Sequence, residues 1–378
     1  MHESVTVLVG TSKGVFLIDS DRERRDWRLS GPFCEGWPAA HVLGDPATGT
    51  IWAACGGEWQ GSAVWRSEDH GATWTHSLLS NGKLDDFLSA DENFRKMLGR
   101  GPAPDAPFKG QVQALWVLGL VDGVLYAGAK PAALYASRDR GDTWALVQSL
   151  TDHPTQPYWE PGGAGLVLHT ILGQGNRLMV GISAAGVFAS EDGGQTWDQR
   201  NRRTNQATTP NPITGECGHE VGFCVHNIVR AADGRTLYQQ NHQGVFRSRD
   251  EGRSWDEITE GLAPGFGFPV ATHPHDAETL WVLPADEWGG RGPIGGKATV
   301  WRSRDAGANW QAFRQGLPDN AHFTVLRQAM ATDRCTQAGV YFGTNTGSVF
   351  ASFDEGETWQ EIARHLPLVL GVEVMQRA

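Results

Sequence analysis

Apolar and polar residues alternate along short segments of this chain, and turn residues separate the segments. One stretch shows the pattern clearly, with alternation over residues 223–230, 235–240, 244–248 and 254–258. A period of two places successive side chains on opposite faces of a β-strand. The stretch therefore predicts four antiparallel strands, which we letter A to D in chain order.

The turn between strands C and D recurs along the chain. Six copies share the pattern Ser-x-Asp-x-Gly-x-(Thr/Ser/Asn)-Trp, and a decayed copy lies at residues 19–27. The tryptophans that end the seven copies are Trp27, Trp74, Trp144, Trp197, Trp255, Trp310 and Trp359. In such a turn the aspartate can accept hydrogen bonds from backbone amides, the glycine supplies a positive φ and the tryptophan buries a large ring. The turn is therefore expected to stabilise the fold, and by itself it says nothing about catalysis.

These turns resemble the Asp box, also called the BNR repeat, of sialidase-like β-propellers. The resemblance extends over nearly the whole chain and implies an all-β fold, a single seven-bladed β-propeller with four antiparallel strands in each blade. The first repeat, residues 1–34, has no A strand, whereas the alternating segment at residues 368–375 has no repeat of its own. We expect residues 366–378 to supply the missing strand, which closes the ring and leaves no exposed sheet edge.

Four insertions interrupt the repeats, and all of them fall on one face of the predicted propeller. Residues 81–110, 151–165 and 204–222 connect a D strand to the next A strand, and residues 285–297 connect B to C, so they lie opposite the Asp-box turns. Long loops gathered at one end of a rigid fold usually form a binding or catalytic site. In the first insertion, the capping-box spacing that starts at Ser89 predicts a short amphipathic helix.

The candidate ligand-binding residues are four tryptophans and two arginines. They are Trp37, Trp59, Trp159, Trp288, Arg291 and Arg327. Indole rings on this face can stack on sugars and other planar ligands, although a loop tryptophan also packs against its neighbours. We therefore expect a small-molecule or glycan-like ligand.

Histidine recurs at one position of the predicted A strands. When the A strands are aligned by the B strands that follow them, His41, His169 and His226 fall at the same position in three blades. This position is near the start of strand A, the strand that lines the axis of a propeller. The hairpin turn near Asp233 sets His242 beside His226. Three interpretations stay open: one divalent Zn, Mn, Fe or Cu ion bound by these imidazoles, a metal-free catalytic or ligand-binding site, and hydrogen-bonded histidines that fill a polar channel.

Further potential ligands lie just before this hairpin. Cys217 and His219, and likewise Cys224 and His226, are separated by one residue, but this is not a recognised zinc-binding spacing. Cys224 is expected to be a buried free thiol. His219 and Glu220 are candidate catalytic residues that would support the histidine pair.

Composition and charge exclude several functions. The formal net charge of −11 argues against binding to nucleic acid or to an anionic membrane, since both need clustered Lys and Arg. No apolar run approaches the roughly twenty residues of a membrane span, and the N-terminal sequence has no signal-peptide pattern. Five cysteines in 378 residues favour reduced thiols and a cytoplasmic location.

The resemblance to sialidases also implies an exo-acting glycoside hydrolase, but the residues of that chemistry are incomplete. The family uses an arginine triad, a Tyr/Glu nucleophile pair and an Asp acid, and this chain has no F/Y-R-I-P segment where the triad begins. Tyr158, close to Glu160, is the tyrosine expected on a loop. We therefore expect a metal-dependent enzyme of hydrolase or lyase type. The alternatives are a binding or assembly-factor propeller without catalysis and a sialidase-like exo-glycosidase.

Overall fold

The computed structural model describes residues 4–204 and 224–377, and the alternating segments in these ranges form β-strands connected by turns and short helices. The strands of the first half are β1 (Ser4–Thr11), β2 (Gly14–Asp21), β3 (Arg28–Phe33), β4 (Ala39–Gly44), β5 (Ile51–Gly57), β6 (Gly61–Ser67), β7 (Thr75–Asn81), β8 (Ala114–Val121), β9 (Val124–Lys130), β10 (Leu134–Ser137), β11 (Ala145–Leu146), β12 (Val167–Gln174), β13 (Arg177–Ser183), β14 (Gly186–Ser190) and β15 (Asp198–Gln199). The strands of the second half are β16 (Val225–Arg230), β17 (Leu237–Asn241), β18 (Gly244–Ser248), β19 (Asp256–Glu257), β20 (Gly267–Thr272), β21 (Leu280–Pro284), β22 (Val300–Ser303), β23 (Gln311–Phe313), β24 (Met330–Thr332), β25 (Val340–Gly343), β26 (Val349–Ser352), β27 (Gln360–Ala363) and β28 (Val369–Arg377).

Seven four-stranded antiparallel sheets, the blades, form a ring. Blades 2 to 7 each contain four consecutive strands, from β4–β7 in blade 2 to β24–β27 in blade 7, whereas blade 1 has the order β28-β1-β2-β3. In blade 1, Ser4 pairs with Arg377 and Thr11 pairs with Val369. The predicted seven-bladed propeller, closed by the C-terminal strand, is therefore confirmed.

The hydrophobic core lies between neighbouring blades. Val5, Trp281 and Tyr341 are buried in one cluster that joins blades 1, 6 and 7. A buried ion pair adds a polar contact between blades 1 and 7, because Arg24 Nη1 lies 2.8 Å from Asp333 Oδ2. The Tyr341 hydroxyl donates to the same oxygen at 2.7 Å. Apolar packing and a buried polar network thus meet where the ring closes.

The Asp-box turns share one hydrogen-bond pattern, which blade 5 illustrates. Asp250 accepts from the Ser254 amide at 2.8 Å and from the Ser254 hydroxyl at 2.7 Å. Gly252 has a φ of +79°, which a glycine adopts without strain. The Trp255 ring is 2% exposed, and its Nε1 donates to the Arg200 carbonyl of blade 4 at 2.7 Å. The turn therefore holds its own backbone and packs one blade against the next.

The Asp-box carboxylates make stability depend on pH in the acid range. Hydrogen bonds from the threonine hydroxyl and amide of each turn lower the pKa of Asp69, Asp139 and Asp192 from 3.8 to about 2. A lowered carboxyl pKa stabilises the folded state above about 3.8, and this stabilisation is lost as pH falls through about 2. We expect the wild type to have a higher melting temperature than the Asp192→Asn variant at pH 6. This difference in melting temperature should become smaller as the pH is lowered from 4 to 2. A difference that stays constant over that range would contradict this assignment.

The face opposite the Asp-box turns carries the insertions, because strands alternate in direction within each blade. The first insertion forms two helices, α1 (Lys83–Ala90) and α2 (Glu92–Leu98). A helix in this region was predicted, but its cap is Asp91 rather than Ser89, since Ser89 lies inside α1. The remaining helical segments are α3 (Gln148–Thr151) and the 3-10 turns Cys34–Gly36, Gln156–Tyr158 and Ile294–Gly296. Across the described ranges, every helix is too short or too polar to cross a membrane.

Candidate functional site

A β-bulge near the start of strand A changes the direction of the side chains at the axial channel. In blades 3, 4 and 5, one residue of strand A has no partner on strand B. This residue is Trp116 in blade 3, His169 in blade 4 and His226 in blade 5. In blade 2 the skipped residue is Ala40, not His41. A bulge takes one side chain out of the regular alternation. His41 is therefore one residue out of register with the other two histidines, and the predicted alignment is wrong for blade 2.

His226 and His242 lie beside each other at the open end of the β16–β17 hairpin, with ring centroids 5.6 Å apart. His226 Nδ1 donates to the Gly267 carbonyl at 2.6 Å, and His242 Nε2 donates to the Glu287 carboxylate at 2.8 Å. Carbonyl and carboxylate oxygens accept hydrogen bonds, so these contacts assign the proton on each ring. In the neutral form of each ring, the other nitrogen, His226 Nε2 or His242 Nδ1, therefore has a lone pair that can bind a metal ion.

Cys224 completes a group of three potential metal ligands, which we call the Cys-His-His trio: Cys224, His226 and His242. One ligand atom from each residue lies within 4.8 Å of the other two. The Cys224 carbonyl accepts from the His242 amide at 3.0 Å, which joins the two residues across the hairpin. The Ser183 hydroxyl lies 3.4 Å from the Cys224 sulfur. The hairpin therefore brings three donors of metal-binding type to one point.

The surroundings of the trio favour a thiolate and a neutral buried imidazole. Burial raises the pKa of Cys224, but hydrogen bonds to His242 and Ser183 and the charge of Arg327 outweigh it, and the net pKa is below its ordinary value. Hydrogen bonding to Cys224 raises the pKa of His242 despite burial. Burial, together with Arg327, lowers the pKa of His226 well below 6.5. Thiolate and neutral imidazole are the forms that bind metal ions.

His41 and His169, the other two predicted ligands, do not belong to the trio. The His41 Nδ1 atom accepts from the Leu118 amide at 3.3 Å, and its Nε2 atom lies 3.6 Å from the Glu373 carboxylate. His41 is thus a hydrogen-bonded inner-strand residue between blades 1 and 3. His169 is buried, burial lowers its pKa well below 6.5, and its Nε2 has no hydrogen-bond partner among the residues described.

A cavity of about 200 Å³, which we call the axial cavity, lies where the inner strands of blades 2 and 3 face the chain that precedes β24. Ala40 and Trp116, the residues that the bulges skip, line it together with Leu326. Its polar side chains are Arg327 and Gln328. The Arg327 guanidinium carbon and the His226 ring both lie beside the Phe268 ring, at 5.2 and 4.8 Å, so the cavity and the trio are neighbours.

Two of the four predicted tryptophans are available to a ligand. Trp288 is 87% exposed and lines a wider pocket of about 570 Å³ that also includes His242 and Glu287. Trp59 is 45% exposed and lies beside Phe87 of α1. The pocket at Trp288 therefore gives an aromatic surface next to the trio.

The other two tryptophans pack against neighbouring side chains, Trp159 buried and Trp37 half-buried. Trp159 is 7% exposed and packs on Phe188, with ring centroids 5.0 Å apart. Trp37 packs edge-on against Trp65 at 5.7 Å. These rings pack against neighbours, which was the alternative to ligand stacking.

The remaining predicted catalytic residues lie on the second and third insertions. Tyr158 and Glu160 are both exposed, and no hydrogen bond joins their side chains in this described part of the second insertion. Cys217, His219 and Glu220 lie outside the described residues.

Three neighbours of the trio were not predicted from the sequence: Ser183, Gly267 and Glu287. Glu287 was within reach of prediction, since it lies in the insertion at residues 285–297 on the face expected to carry the site. Its contact with His242 depends on how the loop of blade 6 packs on blade 5, which no local pattern encodes. Cys224 was interpreted as a buried thiol, but the structure leaves it half-buried.

Comparison with known proteins supports the fold and leaves the family open. No protein-family model matches the chain. The vacuolar protein sorting/targeting protein 10 of Emericella nidulans is 25% identical over 137 residues, which is 35% of this chain and 9% of that protein. The chain therefore matches a small part of a much longer relative.

Two solved structures share the propeller. A GH74 xyloglucanase from Xanthomonas campestris aligns with a TM-score of 0.60 and 19% identity over 95% of this chain and 54% of that chain. A YCF48 protein bound to D1 peptide aligns with a TM-score of 0.51 and 12% identity over 86% of this chain and 82% of that chain. The chain spans about half the length of the xyloglucanase. At these identities the likeness shows the fold alone, so an enzyme and a peptide-bound protein are both similar to this chain.

Proposed function

We propose that this propeller is a zinc-dependent enzyme of hydrolase or lyase type, whose metal is held by Cys224, His226 and His242 at the mouth of the axial channel. The observation that carries the proposal is the anchoring of both histidines. One ring is held by the Gly267 carbonyl and the other by the Glu287 carboxylate. Histidines that bind zinc usually donate their second N–H to such an acceptor, which fixes the ring and its tautomer.

The donor set of the trio is one that zinc binds, and it fits manganese poorly. A thiolate with two imidazoles suits zinc, whereas manganese prefers oxygen ligands. With Zn–S and Zn–N distances of about 2.3 and 2.0–2.1 Å, tetrahedral coordination places the sulfur and a nitrogen roughly 3.6 Å apart. The ligand atoms of the trio, which lie within 4.8 Å of one another, would therefore move together by up to about 1 Å on binding zinc. Three protein ligands leave a fourth position for water, and zinc lowers the pKa of such a water to about 7.

The residues around the trio would orient the reaction. Glu287 holds His242, and the same residue borders the pocket in which Trp288 is exposed. A sugar-like or planar substrate stacked on Trp288 would therefore approach the trio from this pocket. Phe266 lies 5.1 Å from the His242 ring and closes one side of the pocket.

Metal content tests this proposal directly. Protein purified without a histidine tag should contain about one zinc per chain by elemental analysis, since the three donors form one site. Cys224→Ser, His226→Ala and His242→Ala should each lower the zinc content severalfold. With cobalt in place of zinc, the wild type should show thiolate-to-cobalt charge-transfer absorption that Cys224→Ser lacks.

His41→Ala is the matched control for these variants. It removes a buried histidine of an inner strand that the structure separates from the trio, so its zinc content should equal that of the wild type. Wild-type protein without stoichiometric metal would overturn the zinc proposal. It would leave a non-catalytic binding propeller, or the thiol–imidazole pair of Cys224 and His242, as the explanation of the site.

A further inference from the structure

We propose that the axial cavity binds a small organic carboxylate, with the Arg327 guanidinium holding the carboxylate and the apolar walls holding the rest of the molecule. The inference names the substrate class of the proposed zinc enzyme. It rests on that function for turnover, whereas the binding itself can be measured whether or not zinc is present.

Arg327 is a half-buried cation that makes no ion pair with a carboxylate among the described residues. Its side chain keeps an accessible surface and lines the axial cavity. Within residues 4–204 and 224–377, no carboxylate lies at ion-pair distance from it, and its Nε has no hydrogen-bond partner. Arginine remains charged in proteins, and an unpaired buried charge is costly. An anionic ligand in the cavity would remove that cost.

The protein fixes Arg327 before any ligand arrives. The Arg327 carbonyl accepts from Asn227 Nδ2 at 3.0 Å, which ties the segment before β24 to the inner strand of blade 5. The guanidinium carbon lies 5.2 Å from the centre of the Phe268 ring. The guanidinium of Arg291 approaches the same ring at 5.8 Å. Two cations therefore lie near one aromatic ring and repel each other, which makes binding of an anion between them more favourable.

The walls of the axial cavity select the rest of the ligand. Trp116, Leu115, Leu326 and Leu370 line it. Such walls offer inorganic phosphate few hydrogen bonds and favour an apolar group attached to the anion. A cavity of about 200 Å³ limits that group to the size of a small molecule. An organic carboxylate therefore fits better than a free oxyanion.

The position of Arg327 directs the carboxylate end toward the trio. The Arg327 guanidinium carbon lies 5.2 Å from the centre of the Phe268 ring, and the His226 ring of the trio lies 4.8 Å from the same ring. A zinc ion bound by one thiolate and two neutral imidazoles would leave a net positive charge beside Arg327. The two positive groups would then face the same carboxylate, with the apolar group extending into the axial cavity.

Binding of benzoate, measured by calorimetry against its neutral isostere benzamide and against inorganic phosphate, tests the inference. We expect wild-type protein to bind benzoate more tightly than either of the others by on the order of tenfold or more, the range of a charge-assisted hydrogen bond. Arg327→Gln should weaken benzoate binding by a similar factor, and Arg327→Lys should recover it in part, because lysine keeps the charge without the planar fork. Arg249→Gln, an exposed arginine on the Asp-box face, should change nothing.

Equal binding of benzoate and benzamide to the wild type would overturn the inference, even if Arg327→Gln failed to fold. Zinc content measured on the same samples separates the two proposals. If the protein contains no metal as purified and still binds benzoate in a way that depends on Arg327, the carboxylate site is supported and the zinc centre is overturned. If it contains stoichiometric zinc but binds benzoate and benzamide equally, the zinc centre is supported and the carboxylate site is overturned.

Discussion

Deletion of residues 369–377 is expected to leave a chain that does not form a soluble ring. These residues are β28, the innermost strand of blade 1, and it pairs with β1 along its length. Val369, Val372 and Met375 of β28 are at most 2% exposed. The deletion would expose the edge of β1 and the apolar surface that β28 covers, and both promote aggregation. Size-exclusion chromatography and thermal unfolding would measure the loss.

Two single substitutions on β28 provide a matched comparison. Val372 is 2% exposed, whereas the side chain of its neighbour Glu373 is 39% exposed. Val372→Asp should behave like the deletion, because it buries an unpaired charge. Glu373→Gln should elute at the same volume as the wild type and melt close to it. A truncated protein that stays soluble and melts normally would refute closure by β28.

Trp255→Ala is expected to lower the free energy of unfolding by about 3–5 kcal/mol, the typical cost of removing a large buried ring. The Trp255 ring packs with Met179, Val187 and Phe246 between blades 4 and 5. Its Nε1 also donates to the Arg200 carbonyl, which would lose that partner. Urea unfolding followed by circular dichroism would measure the change.

Trp288→Ala is the control for this prediction. It removes the same side chain from a position that is 87% exposed, so stability should change by less than about 0.5 kcal/mol. Zinc content of Trp255→Ala should stay that of the wild type, because the Asp-box turn and the trio lie on opposite faces. A Trp255→Ala protein with full stability and no ligand binding would mean that the working face is misassigned.

The sequence was sufficient to predict the strands and the closure because both depend on local alternation and on a repeated turn. The strand predicted at residues 244–248 is β18 (Gly244–Ser248), since glycine and the Asp-box serine mark its ends. The A strand of the same blade was predicted from residue 223 and begins at Val225. The type of each element could therefore be predicted from the sequence, whereas the residues at which it begins and ends were predicted less accurately.

The candidate site was harder to predict because its geometry depends on bulges and on contacts between blades. The alignment of His41 with His169 assumed regular pairing, but the unpaired residue of blade 2 is Ala40. A bulge leaves no mark in the alternation when the extra residue is a small apolar one. Arg327 was identified as a candidate, but that its Nε has no hydrogen-bond partner among the described residues becomes visible only when the surrounding blades are in place.

The three members of the trio belong to one hairpin, whereas Arg327 comes from the segment that leads into blade 7. During synthesis the chain carries all three proposed ligands once residue 242 has emerged, well before β28 exists to close the ring. Metal binding contributes directly to folding when ligands lie this near in sequence, so zinc would hold the open end of the β16–β17 hairpin in a growing chain. The axial cavity is complete only when the last part of the chain adds Leu326, Arg327, Gln328 and Leu370 to the walls from blades 2 and 3. Metal loading would therefore precede ring closure, and a chain that fails to close would retain zinc while remaining unable to bind a carboxylate.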